Sequence, residues 1–265
     1  MKKLLLIWIS ILCYSAMYGQ DFEVAPVKLS FKTDPGGTET QKVTIRNHGN
    51  KKEAFEFKIS DYVVDEKGNK KKLPAGSTKK SCADWITINP SLLELNPNET
   101  RDIDVIMTVP AGESSTRWGM IAVQPTKEQS SFNSDKNMAT GVLISPRIVI
   151  QVIQSPKSNT NYMATIQNLK EITQAKDTMR LFTVEVLNTG DKVIQPDVYL
   201  TIADISNGKE QKFPAETCTL FPDGKRIITL KLPKTIAKGK YALAALLDYG
   251  HGSAIEGVQM MIEQK

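Results

Sequence analysis

The sequence predicts an all-β protein built as two β-sandwiches in tandem. Three observations predict it. Apolar and polar residues alternate with a period of two in run after run, which is the pattern of strands with one buried face. Clusters of Gly, Pro, Asn and Asp break these runs about every eight to twelve residues, the turn spacing of a sandwich. No stretch sustains the 3.6-residue period of a helix.

The first residues stand apart. Met1-Lys2-Lys3 is a positive start, Leu4 to Cys13 is apolar, and small or polar residues follow to Gln20. This predicts an export signal over residues 1–19, cleaved after Gly19, and no stable membrane span after processing. Acylation at Cys13 is a rival reading that Leu12 opposes, because the preceding position is normally small; an uncleaved anchor is a third. Removing 19 of the 265 residues leaves 246, enough for one large β domain or two of ordinary size. The pattern divides them into a sandwich over residues 20–156 and another over 157–265, joined at the Pro, Ser and Asn residues between Pro156 and Asn161.

In the first part, Phe22, Val24, Val27, Leu29 and Phe31 predict a strand broken by Pro26, which implies an edge or a bend. Asp34-Pro35-Gly36-Gly37 is a turn. Gln41 to Asn47 alternates with Val43 and Ile45 inward, and His48-Gly49-Asn50 turns the chain. Phe55, Phe57 and Ile59 predict the next strand, extended by Val63 and Val64. Lys70 to Ser81 reads as a polar, solvated hairpin or loop.

Trp85 to Val123 carries the clearest signal. Leu93 and Leu95 flank Glu94; Ile103, Val105, Met107 and Val109 interleave with Asp102, Asp104, Ile106 and Thr108; Asn96-Pro97-Asn98-Glu99 turns between them; another strand starts at Trp118. Thr126 to Asn137 lacks period and reads as an exposed loop. Val142 to Ile153 reads as one long or kinked strand, apolar on both faces near its end.

The second part repeats the logic without repeating the sequence. Strands are predicted over Tyr162–Leu169, Arg180–Asn188, Val198–Ile202, Cys218–Phe221, Ile227–Leu232, Tyr241–Leu247 and Val258–Ile262, with turns at Asn207-Gly208 and Pro222-Asp223-Gly224. Asn188-Thr189-Gly190-Asp191 echoes Asn47-His48-Gly49-Asn50.

Loss of Lys2 and Lys3 takes the formal charge from +5 to +3, a mild balance that does not imply nucleic-acid binding. His48 and His251 sit beside glycines, away from any metal-ligand spacing. Asp248, His251, Ser253 and Glu256 are close in sequence but lack the strand–turn–helix context of a hydrolytic nucleophile. No phosphate loop, dinucleotide fingerprint or calcium loop occurs. The expectation is a non-enzymatic protein with no cofactor and no metal. Cys82 and Cys218 read as free thiols, with a bridge between them as the alternative. Trp85 and Trp118 read as core packing or as an aromatic patch for a partner.

The first part resembles the N-terminal immunoglobulin-like domain of the periplasmic fimbrial (pilus) chaperones. The residues that carry the resemblance are Val43-Thr44-Ile45-Arg46-Asn47 before a short turn, the run Ile88 to Glu99, and the closing strand from Ile148 to Pro156. Both parts also resemble the paired domains of WxL-type cell-surface proteins. The first resemblance implies two immunoglobulin-like sandwiches that hold an envelope or surface protein subunit by β-strand addition. It implies that Lys28 on the first strand and Arg147 on the last grip the subunit's C-terminal carboxylate. It implies that Ile148, Ile150 and Val152 enter the subunit's incomplete fold. The second resemblance implies an envelope module that recognises glycan, peptidoglycan or a surface protein; the aromatic patch of Trp85 and Trp118, read from the residues alone, would suit it. The first places the protein in the periplasm, the second at the cell surface or outside the cell.

Overall fold

A computed structural model describes residues 21–126, 129–130, 143–144 and 146–264. The expected export signal lies outside these residues, as do most of Thr126–Asn137 and residue 142 of the long closing strand.

The first sandwich holds β1 (Phe22–Ala25), β2 (Lys28–Phe31), β3 (Thr38–Asn47), β4 (Glu53–Val64), β5 (Lys70–Leu73), β6 (Ile86–Asn89), β7 (Leu92–Leu95), β8 (Thr100–Thr108), β9 (Arg117–Pro125), β10 (Gln129–Ser130), β11 (Leu143–Ile144) and β12 (Ile148–Gln154). One sheet runs β1-β3-β8-β6; the other runs β2-β12-β9-β4-β5, with β7 also paired to β4. Their inner faces meet in a core of Phe22, Val43, Ile45, Phe55, Leu95, Ile103, Val105, Met107, Ile121 and Ile150. The alternation read from the sequence decides which faces meet: Val43, Ile45, Ile103, Val105, Met107 and Val109 are all buried.

The second sandwich holds β13 (Ala164–Glu171), β14 (Met179–Asn188), β15 (Asp197–Asp204), β16 (Glu210–Lys212), β17 (Glu216–Thr217), β18 (Lys225–Pro233), β19 (Gly239–Asp248) and β20 (Glu256–Gln264). Its sheets run β13-β14-β18 and β16-β15-β19-β20. Tyr241, Leu243, Ala245 and Leu247 on β19 alternate inward, so Ala242 to Leu247 is strand despite its helix-prone composition. Among the described residues there is no α-helix. The fold is all-β, two immunoglobulin-like sandwiches in tandem.

Local differences have local causes. The chain changes sheets at Pro26, between β1 and β2, and again at Pro90, between β6 and β7; both peptide bonds are cis. Of the expected hairpin or loop, Lys70 to Leu73 takes the hairpin form, a short strand beside Tyr62, Val63 and Val64, where an outermost position lets three lysines stay in water. Of Cys218–Phe221, only Leu220 pairs, in an isolated bridge to Ile194; the ladder forms at Glu216–Thr217 instead.

The echoed asparagines build the same corner twice. Asn47 Nδ2 donates to Lys51 O at 2.8 Å, and Gly49 N donates to Asn47 Oδ1 at 2.9 Å. Asn188 Nδ2 donates to Lys192 O at 2.8 Å, and Gly190 N donates to Asn188 Oδ1 at 3.0 Å. Each buried amide also reaches across to a facing carbonyl, Leu95 O for Asn47 and Leu220 O for Asn188.

The sandwiches meet in a seam of Tyr62, Trp118, Met120, Ile153 and Phe221. The Trp118 and Phe221 rings lie 4.9 Å apart, and Trp118 Nε1 donates to Tyr62 O at 3.0 Å. Ile227 N donates to Glu66 O at 3.0 Å, Lys225 pairs with Glu66 at 2.7 Å, and Lys80 pairs with Asp223 at 3.3 Å.

Candidate functional site: an open strand edge leading into a lysine cleft

Strand β12 has β9 along its whole length on one side, Ile148 opposite Val123 through Gln154 opposite Arg117. On the other side β2 covers only its second half, from Gln151 opposite Lys28 to Gln154 opposite Phe31. Gln151 N donates to Val27 O at 2.9 Å and Ser155 N to Phe31 O at 3.0 Å, so alternate residues present their main-chain groups to β2. Val149 continues that series beyond the start of β2. Among the described residues, no strand pairs with β12 there. Val149 is 39% exposed and Val27 53%, so the open backbone is flanked by two apolar side chains.

The same edge runs into a cleft between the sandwiches. From the first sandwich come Lys28, Ser30, Lys32, Ile153 and Ser155; from the connection and the second come Lys157, Asn159, Tyr162, Lys192 and His251. Among the described residues, four lysines and a histidine line it, and no Asp or Glu does. From Val149 to Ile153 is four residues, about 13 Å of strand.

Lys192 anchors the cleft floor. Its side chain is buried, and Nζ donates to Pro156 O at 2.7 Å and lies 5.9 Å from the centre of the Tyr162 ring. Burial holds its ammonium below the ordinary lysine range; Asp34 opposes this and Lys32 adds to it. Asp34 itself is held below the usual carboxylate range, first by the 2.9 Å hydrogen bond from Ser158 N and then by Lys157. Tyr162 carries His251 stacked on it, ring centres 3.6 Å apart and planes 12° from parallel. An array of cations with this little carboxylate favours an anion, and partial burial strengthens the attraction.

Lys28 lies in this cleft, but Arg147 does not: it is an exposed residue just before β12, four residues from Gln151, the partner of Lys28. The two do not form one grip. Ile148, Ile150 and Val152 require a correction. All three face the core of the first sandwich, Ile150 and Val152 with 0% exposure and Ile148 packed against the core from its edge. Their side chains are therefore not available to a partner. Val149, Gln151 and Ile153 face the other way; Ile-Val-Ile-Gln-Val-Ile has no alternation to reveal this, and a shift of one residue exchanges the faces.

Trp85 and Trp118 do not form a patch either. Trp118 is 7% exposed and sits in the seam, while Trp85 packs against the first core under the Arg117 guanidinium, 5.3 Å from its ring. Sequence reasoning missed Lys32, Lys157, Lys192 and His251, which are scattered along the chain and meet only when the sandwiches do. The one sequence signal near them is the Asn188 corner, which fixes the Lys192 carbonyl.

The remaining candidates settle into structural roles. Cys82 and Cys218 are free thiols. Burial pushes the Cys82 thiol up to about 12, with Asp61 adding to it, and burial also raises Cys218. Asp248 Oδ1 accepts from Gly250 N at 2.9 Å, and Ser253 Oγ donates to Gly250 O at 2.6 Å, so these side chains brace a turn. His48 Nε2 lies 3.1 Å from Glu23 Oε2. Among the described residues, no cluster of His, Cys, Asp and Glu is arranged to hold a metal ion, and no helix is long and apolar enough to cross a membrane.

No protein-family model matches the chain, and no curated protein matches it. Solved structures do. A chain from a chaperone–tip-adhesin complex of CFA/I fimbriae biogenesis aligns with a TM-score of 0.50 and 11% identity, over 91% of this chain and 98% of that one. The class 5 fimbriae chaperone CfaA aligns with a TM-score of 0.47 and 10% identity, over 91% and 98%. The Escherichia coli chaperone DraB aligns with a TM-score of 0.42 and 14% identity, over 91% and 97%. The chain has the fold of the fimbrial chaperones. At 11% identity the likeness establishes that fold and nothing of what the chain binds.

Proposed function

We propose that this chain is a periplasmic, non-enzymatic chaperone-like protein that captures an envelope or surface protein subunit by β-strand addition. A subunit strand pairs with the open edge of β12 at Val149, and an anionic group of the subunit, its C-terminal carboxylate, enters the lysine cleft at the other end of the same edge. One observation carries this reading: among the described residues β12 is unpaired beside Val149, and the half of it that β2 covers borders a cleft lined by Lys28, Lys32, Lys157 and Lys192 and by no described carboxylate. Backbone hydrogen bonds to the edge would give affinity largely independent of sequence, and the cations would set the register of the added strand. Val27 and Val149, rather than Ile148, Ile150 and Val152, are the apolar contacts in this arrangement. The residues over 1–19 support export. The glycan alternative gains little from the tryptophans, since Trp118 is buried in the seam and Trp85 is half-buried under Arg117.

The test is a photo-crosslinking amino acid at Val149, with Met261 on β20 as an exposed control, in cells that make the protein with its native envelope. The proposal expects a discrete adduct from position 149 whose crosslinked peptide comes from the C-terminal region of an exported protein. Equal labelling from both positions, or adducts at 149 with no terminal peptide, would contradict it.

A further inference from the structure

A second cavity, bordered by the seam residues Trp118 and Phe221, has no role assigned so far. It measures about 230 Å³, and its walls include Val64, Thr78 and Trp118 from the first sandwich and Leu220, Phe221 and Arg226 from the second. Drug-sized ligands fill about 300–1,000 Å³, so this space suits a single small ring system.

The charges around it do not balance locally. Asp65 is engaged by its own turn: Oδ1 accepts from Lys67 N at 2.9 Å and Asn69 N at 2.8 Å, and Oδ2 accepts from Asn69 Nδ2 at 2.9 Å. Glu66 is held by Lys225 at 2.7 Å and Asp223 by Lys80 at 3.3 Å. Lys79 makes no ion pair among the described residues but is exposed to solvent, and Arg226 is left over. Among the described residues it makes no ion pair and no side-chain hydrogen bond, and its Nε is buried without a partner. Thr78 Oγ1, on the same cavity, is likewise buried without a partner. The guanidinium lies against Gly68, whose φ of +91° suits glycine, and a Cβ there would stand 2.0 Å from Nη1. The turn thus leaves room for an arginine that no protein carboxylate neutralises. Arg226 is half-buried, and a buried donor such as its Nε is normally bonded.

We infer that this cavity is a binding site for a small aromatic carboxylate. The ring packs against Trp118 and Phe221, and the carboxylate takes the terminal nitrogens of the Arg226 guanidinium. Because both sandwiches contribute walls, an occupant ties them together at the seam.

Calorimetric titration of the full mature chain with 2-naphthoate and with its neutral analogue 2-naphthalenemethanol tests this. The carboxylate is expected to bind one to one and about tenfold or more tighter than the alcohol, the range of a charge-assisted hydrogen bond. Arg226→Gln removes that preference, whereas Lys192→Met, in the lysine cleft, leaves it intact. If Arg226→Gln fails to fold, Val64→Trp, which fills the cavity from one wall, abolishes binding of both probes. Equal binding of the two probes, no binding of either, an unchanged preference in Arg226→Gln, loss of it in Lys192→Met, or normal binding by Val64→Trp would each overturn the inference.

Discussion

Ile150→Ala and Val149→Ala are adjacent substitutions with opposite expected consequences. Ile150 is fully buried opposite Ile121 in the first core, whereas Val149 is exposed beside the open edge. Truncating Ile150 to alanine removes three carbons, about 2.4 kcal/mol at roughly 0.8 kcal/mol per buried methylene. A cavity that neighbours fill only in part brings the loss to about 3–4 kcal/mol. Val149→Ala should cost under about 0.5–1 kcal/mol, as for a surface position. Urea unfolding followed by tryptophan fluorescence reads the difference. Outside the export signal, the tryptophans are Trp85 and Trp118, both in the first sandwich, so the signal reports that half. With a slope of about 2 kcal/mol per molar urea, Ile150→Ala should lower the midpoint by about 1.5–2 M and Val149→Ala by less than about 0.5 M. Equal midpoints for the two variants would refute the assignment of faces on β12.

Other expectations follow from the cleft and the core. Lys192→Met should weaken capture of the partner by about tenfold or more, and capture by the unaltered protein should weaken as salt rises, because the cleft acts through charge; binding that is indifferent to both would remove the cleft from the mechanism. Asn188→Ala should destabilise the second sandwich by about 1–3 kcal/mol, chiefly through the unbonded Lys192 carbonyl, since Leu220 O keeps its bond from Ile194 N; thermal unfolding measures it. The Cys82 thiol is raised from 9.0 to about 12 in the fold. The unfolded thiol therefore releases its proton first, and stability falls as pH rises from about 9 towards 12. Cys82→Ala should flatten part of that decline, and an unchanged slope would show that the thiol is not buried as described. With disulfides left unreduced, thiol reagent should label both Cys82 and Cys218 after unfolding; failure to label them would reveal a bridge.

What the sequence made legible follows from periodicity. Strands β3 and β8 have one wet face and one dry face, so their alternation names both the element and its buried side chains. β12 has a core on one face and the seam on the other, so both faces are apolar and the pattern names the strand without its orientation. That is why Ile148, Ile150 and Val152 stood out as partner contacts while Val149 did not. Lys70 to Leu73 reads as hairpin or loop alike for the converse reason: an edge strand needs no apolar residue on its outer side. The cleft was beyond reach because Lys28, Lys32, Lys157, Lys192 and His251 share no spacing, and only the packing of Trp118, Ile153 and Phe221 brings them to one place. Arg226 reads in sequence as an ordinary charged residue between the Pro222-Asp223-Gly224 turn and the strand from Ile227, and its lack of a partner emerges only once Asp65, Glu66 and Asp223 are seen to be engaged elsewhere.

Hydrogen exchange at the Val149 amide probes the open edge itself. In the free protein this amide should exchange freely while those of Ile148 and Ile150, directed at β9, are protected; on capture of the partner, Val149 should become protected as well. A Val149 amide already protected in the free protein, or one still exchanging freely in the complex, would contradict strand addition at this edge.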